Sequence, residues 1–132
     1  MEQPVRTRPL VFVTNGDPIF LLTLKQLLID EGFDALTMPL SDRPFEEIVR
    51  TQPDLLVIDF PYHEELAWQL LDQLDADPTT QKIAIIATST DPGNLSTFEN
   101  RMTGRLAAAV LLKPYDLDPL LALVSSMMPT RR

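Results

Sequence analysis

The sequence predicts an α/β fold in which a five-stranded parallel sheet lies between two layers of helices. Short apolar segments alternate along the chain with longer segments whose apolar residues recur every three or four positions. This alternation is typical of strands and helices in a parallel α/β domain. The segment Leu55–Asp59 is a continuous apolar run that ends in an acid. Such a run indicates a central strand that is covered on both faces.

Proline, glycine and aspartate residues separate most of the predicted elements. The predicted strands are Leu10–Thr14, Ala35–Met38, Leu55–Asp59, Ile83–Thr88 and Ala108–Leu112. The predicted helices are Pro18–Glu31, Phe45–Thr51, Glu64–Asp75, Leu95–Thr103 and Leu117–Met128. Asp17 and Pro18 are a typical helix start, because aspartate caps free N–H groups and proline fits the first turn. We interpret Asp91-Pro92-Gly93, in contrast, as a break before the fourth helix.

Composition narrows the classes of function. The length of 132 residues predicts one domain, over residues 10–128, with a loose lead-in at 1–9 and a short tail at 129–132. The net charge of −8 argues against nucleic-acid binding through this domain. The absence of cysteine excludes disulfides, thiolate metal sites and thiol nucleophiles. We expect a cytoplasmic protein that does not act at a membrane, since no apolar run is long enough for a bilayer or a signal peptide.

Right-handed crossovers favour the strand order 2-1-3-4-5, which is the flavodoxin-like arrangement. In such a sheet the carboxyl ends of the strands gather the functional side chains. The segments at this edge are Asn15–Asp17, Asp59–Pro61 and the ends of the fourth and fifth strands. Asp59 needs a charged or hydrogen-bonding partner there, because an isolated buried carboxylate is unfavourable.

Three of these segments resemble the receiver domains of two-component response regulators. The segment PDLLVIDF is similar to the family's phosphoacceptor strand and puts Asp59 at the acceptor position. Ser89 falls on the family's hydroxyl position, and Lys113-Pro114-Tyr115 matches its lysine, proline and aromatic residue. The resemblance covers the whole predicted domain and implies a CheY-like, three-layer fold and a part in phosphorelay signalling in bacteria.

The sequence also departs from the family pattern. The family's acidic pair corresponds to Asn15 and Gly16, and its switch aromatic corresponds to Val110. In the family, the acidic pair and the acceptor aspartate hold Mg²⁺, which prefers carboxylate oxygens. Here Asp59 is the only matched carboxylate, so we expect no resident metal or other cofactor. Asp59 and Asp17 are weak candidates for Mg²⁺, and Asp17 is better explained as the helix cap.

We therefore expect an atypical receiver, or pseudo-receiver, that is not an enzyme and that acts by binding other proteins. In this hypothesis Lys113 pairs directly with Asp59, and Ser89 joins the same cluster. The partners that the resemblance implies are a histidine kinase, a phosphotransfer protein or an effector. A homodimer is a further expectation, because extra apolar residues such as Leu22 and Ile29 widen the first helix's apolar face.

Two alternatives stay open. The first is a working receiver that a histidine kinase phosphorylates on Asp59 with the help of Mg²⁺. The second is a flavodoxin-like small-ligand binder or enzyme. The second has little support, because the sequence contains neither a glycine-rich phosphate loop nor a Ser/His/Asp arrangement.

Overall fold

The computed structural model of the chain describes residues 8–60, 65–102, 108–113 and 117–128. The strands are β1 (Leu10–Thr14), β2 (Asp34–Met38), β3 (Leu55–Phe60), β4 (Ala84–Ser89) and β5 (Ala108–Leu112). The helices are α1 (Pro18–Asp30), α2 (Phe45–Thr51), α3 (Glu65–Ala76), α4 (Pro92–Arg101) and α5 (Leu117–Met127), with a short 3-10 helix at Leu40–Asp42. None of the helices within these ranges is long and apolar enough to cross a membrane.

The five strands form one parallel sheet in the order β2-β1-β3-β4-β5. This confirms the predicted fold class and strand order. β3 lies in the centre, between β1 and β4, and all six of its residues are buried. Its register places Asp59 opposite Thr88 and Phe60 opposite Ser89 of β4. The end of the central strand therefore meets the end of β4 at the carboxyl edge of the sheet.

Two apolar clusters cover the two faces of the sheet. Side chains of α1 and α5, such as Leu24 and Val124, pack on one face, together with Val57 of β3. Side chains of α2, α3 and α4 pack on the opposite face, together with Ile58 and Phe60 of β3. Because side chains alternate between faces along a strand, Asp59 belongs to the face of α1 and α5, whereas Phe60 belongs to the face of α3 and α4.

The predicted start of α1 is confirmed, whereas the predicted start of α4 is wrong. The Oδ1 of Asp17 accepts hydrogen bonds from the N–H groups of Ile19 (2.9 Å) and Phe20 (3.3 Å), as predicted for a cap of α1. α4 begins at Pro92 and not at Leu95. Asp91 caps it by accepting from the N–H of Gly93, at 2.8 Å, and proline occupies the first turn. The Asp-Pro pair thus starts a helix here too, where we had expected a break.

Candidate functional site

Asp59 lies at the end of β3, in the middle of the carboxyl edge, and is only 6% exposed. Within the described part of the chain, two polar side chains from outside β3 contact its carboxylate. The Nζ of Lys113 forms an ion pair with its Oδ1. The Oγ1 of Thr88 donates a hydrogen bond of 2.9 Å to the same oxygen. A buried carboxylate is favourable only when it is paired in this way, so these contacts compensate for the burial of the Asp59 side chain.

Lys113 reaches Asp59 from β5, which is not a neighbour of β3 in the sheet. The residue follows β5 directly, and its backbone N–H donates to the carbonyl of Ser89 at 2.7 Å. This bond places the start of the lysine side chain beside the end of β4. In the sheet, β4 is the strand that lies between β3 and β5. The Lys113 side chain is 28% exposed, so water reaches part of it. The direct pair has the geometry that the sequence predicted.

The hydroxyl beside Asp59 belongs to Thr88 and not to Ser89, which we had expected in this cluster. Ser89 instead accepts hydrogen bonds through its Oγ from the N–H of Asp91 (3.0 Å) and the side chain of Asn94 (3.4 Å). The reason is strand alternation. Thr88 is the register partner of Asp59 and shares its face, whereas Ser89 is the partner of Phe60 and faces α4.

The turn after β1 provides little negative charge. Asn15 is buried, with 6% exposure, and its Oδ1 accepts the N–H of Asp17 at 2.8 Å. Gly16 has no side chain, and nothing lies within 4 Å of the position that a Cβ would take. Asp17 is exposed and its Oδ1 caps α1. In the register of β1 and β3, Asn15 follows the pair Thr14–Ile58, so it lies on the Asp59 side of this edge.

The oxygen atoms of Asn15, Asp17 and Asp59 do not form a set of ligands that fits a strongly held divalent cation. Such a cation requires several oxygen ligands, and carboxylates provide most of the attraction. At this edge Asp59 already pairs with the Lys113 cation, and the Asn15 side-chain oxygen is neutral and already accepts the N–H of Asp17. Among the described residues, no group of three or more His, Cys, Asp and Glu side chains could hold a metal ion.

Val110 occupies the position predicted for the switch aromatic. It lies in the middle of β5, half-buried, against the apolar cluster of α3 and α4. An isopropyl group has no aromatic ring to swing between two positions. Pro114, which matches the family's proline, lies outside the described residues.

Sequence reasoning missed the aromatic contacts of Phe60. Its ring centroid lies 4.7 Å from that of Trp68 in α3 and 6.1 Å from that of Phe98 in α4, both edge-to-face. Thr88 was missed as well. The alternation of faces along β3 and β4 could have revealed both, because it assigns Thr88 to the side of Asp59 and Phe60 to the side of α3 and α4.

Comparison with solved structures gives matches over almost the whole chain. The chemotaxis response regulator CheY4 of Vibrio cholerae matches with a TM-score of 0.77 at 13% identity, over 92% of this chain and 100% of that one. A response regulator receiver protein from Pseudomonas putida matches with a TM-score of 0.73 at 25% identity, over 92% and 99%. The chain has the fold of response regulator receiver domains.

A sensor protein from Polaromonas sp. JS666 matches as well, with a TM-score of 0.74 at 22% identity over 91% of this chain and 96% of that one. No protein-family model and no curated protein matches the chain. The similarity to receiver domains is therefore one of structure at low sequence identity. The receiver fold was predicted from the strand-end residues, and the solved structures confirm it.

Proposed function

We propose that the chain is an atypical receiver domain that acts in two-component signal transduction by binding other proteins. In this proposal Mg²⁺-dependent phosphorylation of Asp59 is weak or lost, and the domain is not an enzyme. The observation that carries the proposal is the direct ion pair between Lys113 and Asp59. It offsets the charge of the carboxylate at the acceptor position with a cation from the chain itself.

Charge explains why phosphorylation would be weak. Transfer brings an anionic phosphoryl group against a carboxylate, and a metal ion normally offsets the repulsion between them. At this edge, the turn of Asn15 and Gly16 adds no carboxylate to that of Asp59. A phosphoryl donor would then meet a site in which a single lysine must neutralise both the carboxylate and the incoming group.

A role in protein binding has support on α1. Ile19 and Leu22 are 76% and 71% exposed, and they lie one turn apart on the same side of the helix. Adjacent exposed apolar side chains favour contact with a protein partner. The receiver fold suggests four kinds of partner: a histidine kinase, a phosphotransfer protein, an effector or a second copy of the chain.

A second candidate function, a working phosphoacceptor, is favoured by one specific observation. The contacts that Lys113 and Thr88 make with Asp59 both go to Oδ1, so neither of these two side chains occupies Oδ2. An oxygen that is not covered by these two contacts could attack a phosphoryl donor. Lys113 and Thr88 would then hold the carboxylate in a fixed orientation.

Intact-mass measurement separates the two functions. The chain is incubated with acetyl phosphate and Mg²⁺, with Asp59→Asn as the matched control. The proposal expects no adduct above the level of the control. A stoichiometric adduct of one phosphoryl group that is absent from Asp59→Asn would overturn it in favour of the working phosphoacceptor.

A further inference from the structure

Phe60 connects the strand that carries Asp59 to two helices. Its ring packs edge-to-face on Trp68 of α3 and on Phe98 of α4, and Phe98 is fully buried. Aromatic pairs with this geometry are favourable beyond the apolar area they bury. Both helices therefore contact one ring, in the residue next to the acceptor position.

A second set of contacts joins the same two helices at the surface. Arg101, the last residue of α4, forms an ion pair with Asp72 of α3. Its guanidinium carbon also lies 4.9 Å from the centroid of the Trp68 ring. Trp68 and Asp72 are four residues apart on α3 and so share a face of that helix. One arginine thus binds an anion and an aromatic ring together, which suits its planar, delocalised charge.

The opposite end of α4 is held by the sheet. Ser89, the last residue of β4, accepts hydrogen bonds from the N–H of Asp91 and from the side chain of Asn94. The N-terminus of α4 is thereby fixed to a strand. The C-terminus depends on Arg101 and on the buried side chains of Phe98 and Met102.

We propose that Arg101, Trp68 and Asp72 form a latch that holds the C-terminal end of α4 against α3. The latch fixes the position of α4 relative to Phe60 and hence to the site. When it is closed, α4 has one position. When it opens, the last turns of α4 separate from α3 while the N-terminal turn stays attached to β4. The latch does not depend on whether Asp59 accepts a phosphoryl group, because none of its contacts involves the ion pair of Asp59.

Hydrogen exchange of the full chain, read by mass spectrometry, tests the latch. Arg101→Gln and Asp72→Asn remove its charge pair from either side. Each is expected to increase amide exchange in peptides from α4 by about fivefold, because local opening sets the exchange rate. Exchange in α1 and α5 should stay at the wild-type rate. Arg101→Lys keeps the charge without the planar group, and an intermediate rate is expected.

The matched control is Arg50→Gln. Arg50 forms an ion pair with Glu47, but both residues lie within α2, so this pair does not join two helices. Its loss should leave α4 unchanged. The latch is refuted if α4 exchanges within about twofold of the wild-type rate in Arg101→Gln and Asp72→Asn. It is refuted equally if Arg50→Gln accelerates α4, or if all helices accelerate together in the Arg101 and Asp72 variants.

Discussion

Lys113 pairs with Asp59 across a strand to which neither belongs. Asp59 is the penultimate residue of β3, Lys113 follows β5, and β4 lies between the two strands in the sheet. The pair therefore connects the central strand to the edge strand, in addition to the backbone ladders. Its two members differ in burial, since 8% of the Asp59 side chain and 28% of the Lys113 side chain are exposed. This difference makes the two halves of the pair unequal in their effect on stability.

Lys113→Met should destabilise the domain more than Asp59→Asn does. Removal of the lysine leaves a buried carboxylate without its cation, whereas removal of the carboxylate leaves a lysine that water can reach. Breaking a fully buried pair destabilises by about 3–5 kcal/mol, and we expect about 2–3 kcal/mol for Lys113→Met because the lysine is partly solvated. For Asp59→Asn we expect about 1 kcal/mol. Urea unfolding measures both values, and the reverse order would contradict the structure.

Thr88→Val should weaken the same cluster, and Thr88→Ser should not. Valine matches threonine in shape but cannot donate to Asp59 Oδ1, so we expect a loss of about 1–2 kcal/mol in the free energy of unfolding. Serine keeps the hydroxyl. The loss should shrink in the Asp59→Asn background, where the acceptor carries no charge. If Ser89→Ala instead showed this coupling to Asp59, the assignment of the hydroxyl to Thr88 would be wrong.

Asn15→Asp combined with Gly16→Asp should create a divalent-cation site. The double variant adds two carboxylates at the edge that holds Asp59, and a Cβ at position 16 would meet no atom within 4 Å. We expect Mg²⁺ to bind at least about tenfold more tightly, because carboxylate oxygens are its preferred ligands. A magnesium titration followed by thermal unfolding measures the change. The control is the single variant Gly16→Asn, which keeps Asn15 and adds a side chain without charge.

An unchanged magnesium affinity in the double variant would mean that Lys113, and not the missing acids, keeps the cation away. Acetyl phosphate distinguishes these cases further. If the missing acids limit phosphorylation, the double variant should form an adduct on Asp59 that the original chain does not form.

The pKa of the Asp77 carboxyl, which lies away from the site, gives a further prediction. Hydrogen bonds from the Thr79 side chain, and then from its backbone N–H, lower the pKa of the Asp77 carboxyl. A carboxyl whose pKa is lowered by folding stabilises the fold above its unfolded pKa and loses that contribution as the pH falls through the folded value. Thr79→Ala removes the larger cause, so the pKa of Asp77 should rise toward its ordinary value. An NMR titration of the carboxyl carbon measures it, and a constant pKa would contradict the assigned cause.

Much of the fold could be predicted because its signals are local. The apolar run of β3 and the capping pair before α1 depend on neighbouring residues, and the structure has them where the sequence indicated. The start of α4 was predicted wrongly because the same Asp-Pro pair was interpreted as a break beside Gly93. A glycine near a helix start is a weaker signal than the cap that precedes it.

The site was harder to predict, because it depends on which face each strand-end residue occupies. The pairing of Lys113 with Asp59 was expected from the resemblance to receiver domains, in which the corresponding side chains converge. The choice between Thr88 and Ser89 needs the register of β3 and β4 to within one residue, since a shift of one residue moves a side chain to the other face. The contact of Arg101 with Trp68 joins two helices that are distant in the sequence, and no local pattern indicates it.

Trp68 is the single tryptophan of the chain, and its indole ring packs against Phe60, the residue after Asp59. Its emission spectrum therefore originates from one place, a ring in contact with the residue that follows Asp59. Intrinsic fluorescence can follow a change in the packing of Phe60 or Arg101 on this ring, without a label and without mutation of the protein.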